Sequence, residues 1–189
     1  HRANITIDLG NNTVQTLNTT SEPWKVTLID TGNETMTGGR IKRIKPYIGD
    51  EPFMLTYGDG VSDVNIDKLV ESHKKSGKLV TLTAYQPEGR FGALSIDEEG
   101  TISKFQEKPK EGGAWINAGF FVCQPEAFEY IPEGDNVVWE QEPLKNLARD
   151  GQLHAYKHNG FWHAMDMLKD KNDLNDMWAK DQAPWKVWK

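Results

Sequence analysis

The sequence predicts a three-layer α/β domain: a mixed, mostly parallel sheet covered by helices, with one small antiparallel hairpin. Three observations carry that expectation. Two apolar runs, residues 52–57 and 79–85, lack polar alternation, the pattern of strands buried on both faces. Segments with helical spacing fall between the strand-like ones, which implies parallel strands joined by crossovers. Residues 91–96 and 101–106 alternate around Asp97-Glu98-Glu99-Gly100, the signature of a hairpin.

From the start of the chain, Ile5-Thr6-Ile7-Asp8-Leu9 alternates as a half-buried strand. Residues 10–24 are rich in Asn, Thr and Ser, as in a long polar loop or an exposed hairpin. Residues 24–29 read as a strand running into Asp30-Thr31-Gly32 and a glycine-containing loop that ends Thr37-Gly38-Gly39-Arg40. The apolar run at 52–57 stops at Gly58-Asp59-Gly60. Ile66, Leu69, Val70 and His73 have the spacing of one helix face, ended near Gly77. Beyond the hairpin, residues 116–123 form a further strand. Residues 139–150 form a helix with Pro143 in its early turns, Leu144, Leu147 and Ala148 inward, and Gly151 as its stop. Residues 153–157 are strand-like, and a last helix over 167–180 places Leu174, Met177 and Trp178 on one face. Sheets of this type take ligands beyond the carboxyl ends of their strands.

At 189 residues the chain suits one domain with a sizeable core. Hydrophobic residues make up 37% and charged residues 26%, an ordinary globular balance. The net charge of −6 argues against nucleic acid as a partner, yet a few local Lys and Arg suffice for a small phosphorylated ligand. Cys123 is the one cysteine, so no internal disulfide forms, and its apolar surroundings mark an inert thiol. Glycosylation sequons occur at Asn4, Asn11, Asn18 and Asn33. The lone cysteine and the lack of an apolar leader or membrane-length run outweigh them, and a cytoplasmic location away from membranes is expected. The chain starts His1-Arg2-Ala3-Asn4, without an initiator Met, and leads directly into a strand.

Several residues are candidates for chemistry. Leu55-Thr56-Tyr57-Gly58-Asp59-Gly60 ends an apolar strand in an aspartate bracketed by glycines. Asp59 is there either a ligand for Mg²⁺, a hard cation that also binds phosphates, or part of a turn. In Phe105-Gln106-Glu107-Lys108-Pro109, Glu107 suits sugar hydroxyls and Lys108 suits a phosphate, or the two are a solvated charge pair. Asp166 is a second metal ligand or an N-cap of the last helix. Thr37-Gly38-Gly39-Arg40 either cradles a phosphate on backbone N–H groups, with Arg40 adding charge, or is a flexible loop. The sequence holds no Gly-x-Ser-x-Gly, His-Glu-x-x-His or Walker loop. Trp178, Trp185 and Trp188 suit packing or a subunit contact.

In this order, the pieces resemble the sugar-nucleotidyltransferase family, over nearly the whole chain beyond about residue 20. The resemblance is carried by Glu22-Pro23-Trp24-Lys25-Val26-Thr27-Leu28-Ile29-Asp30-Thr31-Gly32 and Met36-Thr37-Gly38-Gly39-Arg40-Ile41-Lys42-Arg43. It continues through Tyr57-Gly58-Asp59-Gly60, Gly89-Arg90-Phe91-Gly92-Ala93-Leu94, Phe105-Gln106-Glu107-Lys108-Pro109 and Ile116-Asn117-Ala118-Gly119-Phe120-Phe121. Trp139-Glu140-Gln141-Glu142-Pro143-Leu144 and Gly160-Phe161-Trp162 leading to Met165-Asp166 complete it. The Asp-Thr-Gly to Thr-Gly-Gly-Arg stretch and Trp-Glu-Gln-Glu-Pro point to the cytidylyl branch.

The resemblance implies a Rossmann-like three-layer nucleotidyltransferase fold and a reaction joining CTP and glucose 1-phosphate into CDP-glucose and pyrophosphate. It implies supply of deoxysugar and surface-polysaccharide synthesis, and a homo-oligomer. It further implies that Asp59 and Asp166 hold Mg²⁺, that Glu107 and Lys108 hold the sugar phosphate, that Gly58 is a substrate-binding position, and that Asn117 and Gly119 line the sugar pocket. Thr35 and Arg40 would contact the nucleotide, and Asp59, Lys108 and Arg40 would carry the catalysis. A uridylyl or thymidylyl enzyme of the same family, or a non-catalytic sugar-nucleotide-binding module, are the alternatives. Members of the family open with a strand running into a Gly-Gly-x-Gly-Thr-Arg loop and a Lys-Pro segment, which this sequence does not contain. The expectation is therefore a single domain over 1–189 lacking that glycine-rich segment, roughly sixty to seventy residues or about two βα units. On that expectation the chain alone is inactive and exposes an apolar sheet edge.

Overall fold

The computed structural model describes residues 4–17, 24–87, 93–96, 101–106 and 114–188, the side chains of 93–96 and 103–106 excepted. Residues 1–30 and 31–189 are separate compact units. The first holds a hairpin of β1 (Asn4–Asp8) and β2 (Thr13–Leu17), antiparallel from Asn4↔Leu17 to Asp8↔Thr13. Asp8 builds its turn, with Oδ1 accepting from the N–H of Gly10 at 2.9 Å and of Asn11 at 3.1 Å. Asn12 takes the left-handed conformation at φ 52°, which Asn tolerates. The expected half-buried strand is thus exposed along its whole length. Alternation specifies a strand but not what covers its apolar side.

The expected strand at 24–29 is not formed. Trp24, Val26 and Leu28 lie on alternate positions and are 77%, 71% and 91% exposed. An extended segment becomes a strand only when a neighbour takes its backbone groups, and sequence period says nothing of the neighbour.

The second unit contains, in order, α1 (Thr37–Ile48), β3 (Phe53–Thr56), β4 (Gly60–Ser62), α2 (Ile66–Ser76), β5 (Val80–Tyr85), β6 (Ala93–Ile96) and β7 (Ile102–Gln106). There follow β8 (Ile116–Cys123), a 3₁₀ helix (Pro125–Tyr130), α3 (Glu142–Arg149), β9 (Leu153–His158), β10 (Trp162–Ala164) and α4 (Leu168–Ala179). The main sheet has the order β3-β8-β5-β9. Strands β5 and β9 are parallel, whereas β8 runs antiparallel to both β3 and β5. Three of the four strands therefore point one way, and their carboxyl ends share one edge. Strands β6 and β7 form the expected antiparallel hairpin, and β4 pairs with β10 in a separate two-stranded ribbon.

Cross-strand partners share a face. Val80, Phe121 and Cys123 project to one side, where Ile41 of α1, Phe128 and Ile131 of the 3₁₀ region, and Leu144 and Leu147 of α3 close the core around Trp139. Each fully buried large side chain there contributes on the order of 1.5–3 kcal/mol. Helix α2 covers the opposite side against β5 and β9. Its ends follow the sequence: Asn65 Oδ1 accepts from the Lys68 N–H at 2.9 Å, and Gly77 stops it at φ 60°. His73 is buried beneath it, with Nδ1 2.8 Å from Thr81 Oγ1 and Nε2 2.9 Å from Gln124 Nε2. The Gln124 amide donates to Nε2, so the ring is neutral and its Nδ1–H donates to Thr81.

Smaller differences from expectation have simple causes. Strand β3 is an edge strand, and Met54 is 60% exposed on its uncovered side. Trp139 precedes α3 instead of starting it, Ala148 faces solvent, and Trp178 of α4 is exposed. Among the described residues no helix is long and apolar enough to cross a membrane.

Candidate active site

Strand β3 ends at Thr56, and Tyr57-Gly58-Asp59 carries the chain out past the carboxyl edge of the sheet. Strand β4 then pairs with β10, Gly60 opposite Ala164, and the Asp59 carbonyl accepts from the Met165 N–H at 2.8 Å. Asp166 is the next residue, so the ribbon brings near one another the backbones of two aspartates 107 positions apart in sequence. Both are exposed. The N-cap of α4 is Met167, whose N–H donates to Asp170 Oδ2 at 2.9 Å, so Asp170 takes the capping role that Asp166 was a candidate for. Gly58 leaves open space where a side chain would stand, beside Asp59.

Among the described residues no group of three or more acidic, histidine or cysteine side chains is arranged around one metal position. A pair of carboxylates still fits Mg²⁺, which takes one or two protein carboxylates and completes its shell with water and substrate phosphates.

A half-buried network lies beside Asp59. Asn117 Oδ1 accepts from the Gly119 N–H at 2.9 Å, and Asn117 Nδ2 donates to the Tyr57 hydroxyl at 3.3 Å. The Tyr57 hydroxyl donates to Glu140 Oε1, and Glu140 Oε2 accepts from Thr37 Oγ1 at 2.8 Å. Thr37 Oγ1 in turn accepts from the Trp139 N–H at 2.9 Å. Burial, then the Glu140 carboxylate, push the Tyr57 phenol well above its ordinary value, so it stays protonated and donating. Gly119, at φ 79°, is what lets β8 approach this ring: a Cβ there would stand 2.7 Å from Tyr57 Cδ2. Asn117 and Gly119 thus belong to one rigid patch. Tyr57 and Glu140 were not among the sequence candidates, although they lie in the Tyr-Gly-Asp-Gly and Trp-Glu-Gln-Glu-Pro motifs, and Thr37 was a candidate only as part of a phosphate cradle.

Thr37-Gly38-Gly39-Arg40 is the first turn of α1 and not a loop. Its glycines serve close packing: a Cβ on Gly38 would lie 2.7 Å from Val137 Cγ1, and one on Gly39 would lie 2.7 Å from the Gly134 carbonyl oxygen. The Gly39 N–H donates to the Val137 carbonyl at 3.2 Å and is therefore not offered to a ligand. Thr35 is 4% exposed, and its hydroxyl accepts from Arg43 Nη1 at 2.7 Å. That burial and the bond from Arg43 make Thr35 a builder of the loop. Arg40 is exposed and spans Thr31 Oγ1 at 2.7 Å and the Asn33 carbonyl at 3.0 Å. Glu107 and Lys108 lie outside the described residues.

Two further groups are excluded as nucleophilic centres. His158 Nε2 lies 3.0 Å from Asp63 Oδ1, 3.1 Å from the Phe161 carbonyl and 3.2 Å from Ser62 Oγ. A triad needs serine and carboxylate on opposite ring nitrogens, whereas here both meet the same one. Ser62 also donates to the Phe161 carbonyl at 2.7 Å, and Asp63 Oδ1 accepts from the Phe161 N–H at 2.7 Å. The cluster clamps the β4–β10 ribbon that carries Asp59 and Asp166. Cys123 is buried, which pushes its thiol up to about 12.

The nucleotidyl transferase family profile matches residues 11–170. The chain is 49% identical over 189 residues to glucose-1-phosphate cytidylyltransferase of Salmonella typhi, covering 100% of this chain and 73% of that protein. It is 45% identical over 184 residues to the probable glucose-1-phosphate cytidylyltransferase of Bacillus subtilis (strain 168), covering 97% and 71%. Among solved structures it is similar to HddC from Yersinia pseudotuberculosis, with a TM-score of 0.56 at 22% identity, over 76% of this chain and 63% of that one. That likeness supports the fold.

Proposed function

The chain belongs to the nucleotidyl transferase family, and from that premise we propose that it works in the synthesis of CDP-glucose and pyrophosphate from CTP and glucose 1-phosphate. Support for this choice of substrates comes from the Salmonella typhi and Bacillus subtilis relatives, both named for glucose-1-phosphate cytidylyl transfer. The observation that supports the reading is the β4–β10 ribbon, which brings the backbone at Asp59 next to Met165, one residue before Asp166, past the end of β3.

In the proposed reaction an oxygen of the sugar phosphate attacks the α-phosphorus of CTP. The new P–O bond forms as the bond to the bridging oxygen of the β-phosphate breaks, and that oxygen leaves with pyrophosphate. No covalent protein intermediate is needed, so the protein's part is to place two anions together and offset their charge. Asp59 and Asp166 would hold Mg²⁺, which supplies charge neutralisation to phosphates brought within reach. Lys108 and Arg40 would screen the remaining repulsion. Asn117 and Gly119 would line the sugar pocket, with Glu107 accepting from sugar hydroxyls. Gly58 leaves the space for substrate beside Asp59.

The reading extends to a cytoplasmic homo-oligomer supplying deoxysugar and surface-polysaccharide synthesis. Support for a subunit contact lies in Trp178 and Trp188, whose ring centroids are 6.2 Å apart on an exposed surface. The test is Asp59→Asn in an assay of pyrophosphate release by a graft of residues 1–189 in place of the matching residues of the Salmonella typhi relative. Turnover should be lost while the circular dichroism spectrum and Tm stay at parent values, because Asp59 is exposed and its carboxylate packs against nothing in the core. Near-normal turnover in that variant removes the metal assignment.

A further inference from the structure

We propose that Lys157 is an additional cation for the phosphate of the sugar substrate, and that Trp115 holds its ammonium at the mouth of the sheet until that phosphate arrives. The proposal rests on the glucose 1-phosphate reading above and adds a contact to it.

The argument starts from one row of the sheet. Ala84 on β5 is paired with Asn117 on β8 at one side and with Lys157 on β9 at the other. Residues paired across a sheet project to the same face, so Asn117 and Lys157 flank a small buried alanine on one surface. They stand two strand spacings apart, roughly 10 Å, the scale of a hexose carrying a phosphate. Lys157 is also the second-last residue of β9, at the edge where ligands of such sheets bind. Farther down the same face of β9, Leu153 joins the core, so the lysine begins where the packed core ends.

Trp115 supplies the second observation. It lies two residues before Asn117, and Lys157 Nζ stands 5.1 Å from the centre of its ring. The indole is 42% exposed, and Lys157 makes no ion pair among the described residues. A cation over a partly exposed ring is held weakly compared with one on a phosphate dianion. Transfer from the ring face to an arriving phosphate is therefore favourable, and the freed indole is left to pack against the sugar ring. The neighbouring His158 is turned to the other face and held by Asp63, so it does not compete.

The test measures binding of glucose 1-phosphate and of glucose to the chain by calorimetry with Mg²⁺ present, for the parent, Lys157→Met and Lys157→Arg. We expect Lys157→Met to weaken glucose 1-phosphate about tenfold, as loss of a charge-assisted contact does, to leave glucose unchanged, and to flatten the salt dependence. Lys157→Arg should restore most of the affinity. The Tm of all three should agree, since the side chain is exposed. Unchanged glucose 1-phosphate affinity in Lys157→Met, or equal weakening for glucose, overturns the proposal and leaves the proposed function standing. A parent that does not bind glucose 1-phosphate overturns the proposed function itself.

Discussion

Gly119→Ala offers a sharp test of how the candidate site is built. The glycine holds φ 79°, and a left-handed residue with a Cβ costs about 1–2 kcal/mol. The new methyl would also stand 2.7 Å from Tyr57 Cδ2 and 3.2 Å from Tyr57 Cγ. The ring has little freedom to retreat, because it packs at 5.6 Å from the Phe121 ring and its hydroxyl is held between Asn117 and Glu140. Overpacking of this type adds about 1–3 kcal/mol, for a total of roughly 2–5 kcal/mol. Urea unfolding followed by circular dichroism measures it: with a slope of about 2 kcal/mol per M, the midpoint should fall by roughly 1–2.5 M. In a Tyr57→Ala background only Tyr57 Cβ remains, at an ordinary 3.4 Å, so the added cost of Gly119→Ala should drop to the backbone part alone, about 1–2 kcal/mol. A Gly119→Ala protein within about 0.5 kcal/mol of the parent would refute the reasoning, as would full additivity with Tyr57→Ala.

Other consequences can be checked in the same preparations. Burial, and secondarily the charge of His154, hold His73 below its ordinary value of 6.5, so the unfolded chain binds its proton more readily than the folded one. Its contribution to stability is therefore complete above pH 6.5 and declines as pH falls from there toward the lowered value. Urea midpoints between about pH 5 and 7.5 should show that slope in the parent and a weaker one in His73→Leu; identical profiles contradict it. Cys123, with its thiol raised to about 12, should resist a thiol reagent at mildly alkaline pH until the protein is unfolded, and rapid labelling of the native state would be the contrary result.

What was legible in the sequence follows from what local patterns encode. Helix α2 was readable because its cap at Asn65, its apolar spacing and its stop at Gly77 are all local. Strand β5 was readable as an apolar run and β8 and β9 as strand-like segments, but not the insertion of β8 antiparallel between β3 and β5, since direction leaves no trace in a two-residue period. Thr37-Gly38-Gly39-Arg40 was misread because two glycines ordinarily signal a loop. Here they admit a segment about a hundred positions downstream, at Gly134 and Val137, into contact with a helix. Asp59 was legible as a strand-end carboxylate, and only the family resemblance paired it with Asp166. The network of Tyr57, Glu140 and Thr37 escaped because it joins three separate segments whose residues are each ordinary where they stand.

The central proposal is that Asp59 serves a cytidylyl transfer reaction as a metal-holding carboxylate. The most direct measurement grafts residues 1–189 in place of the matching 189 residues of the Salmonella typhi relative and follows pyrophosphate release from CTP with glucose 1-phosphate and Mg²⁺. The account predicts release that requires the sugar phosphate and disappears when Asp59→Asn is introduced into the graft. A folded graft that releases none, or one whose release survives Asp59→Asn, would contradict it.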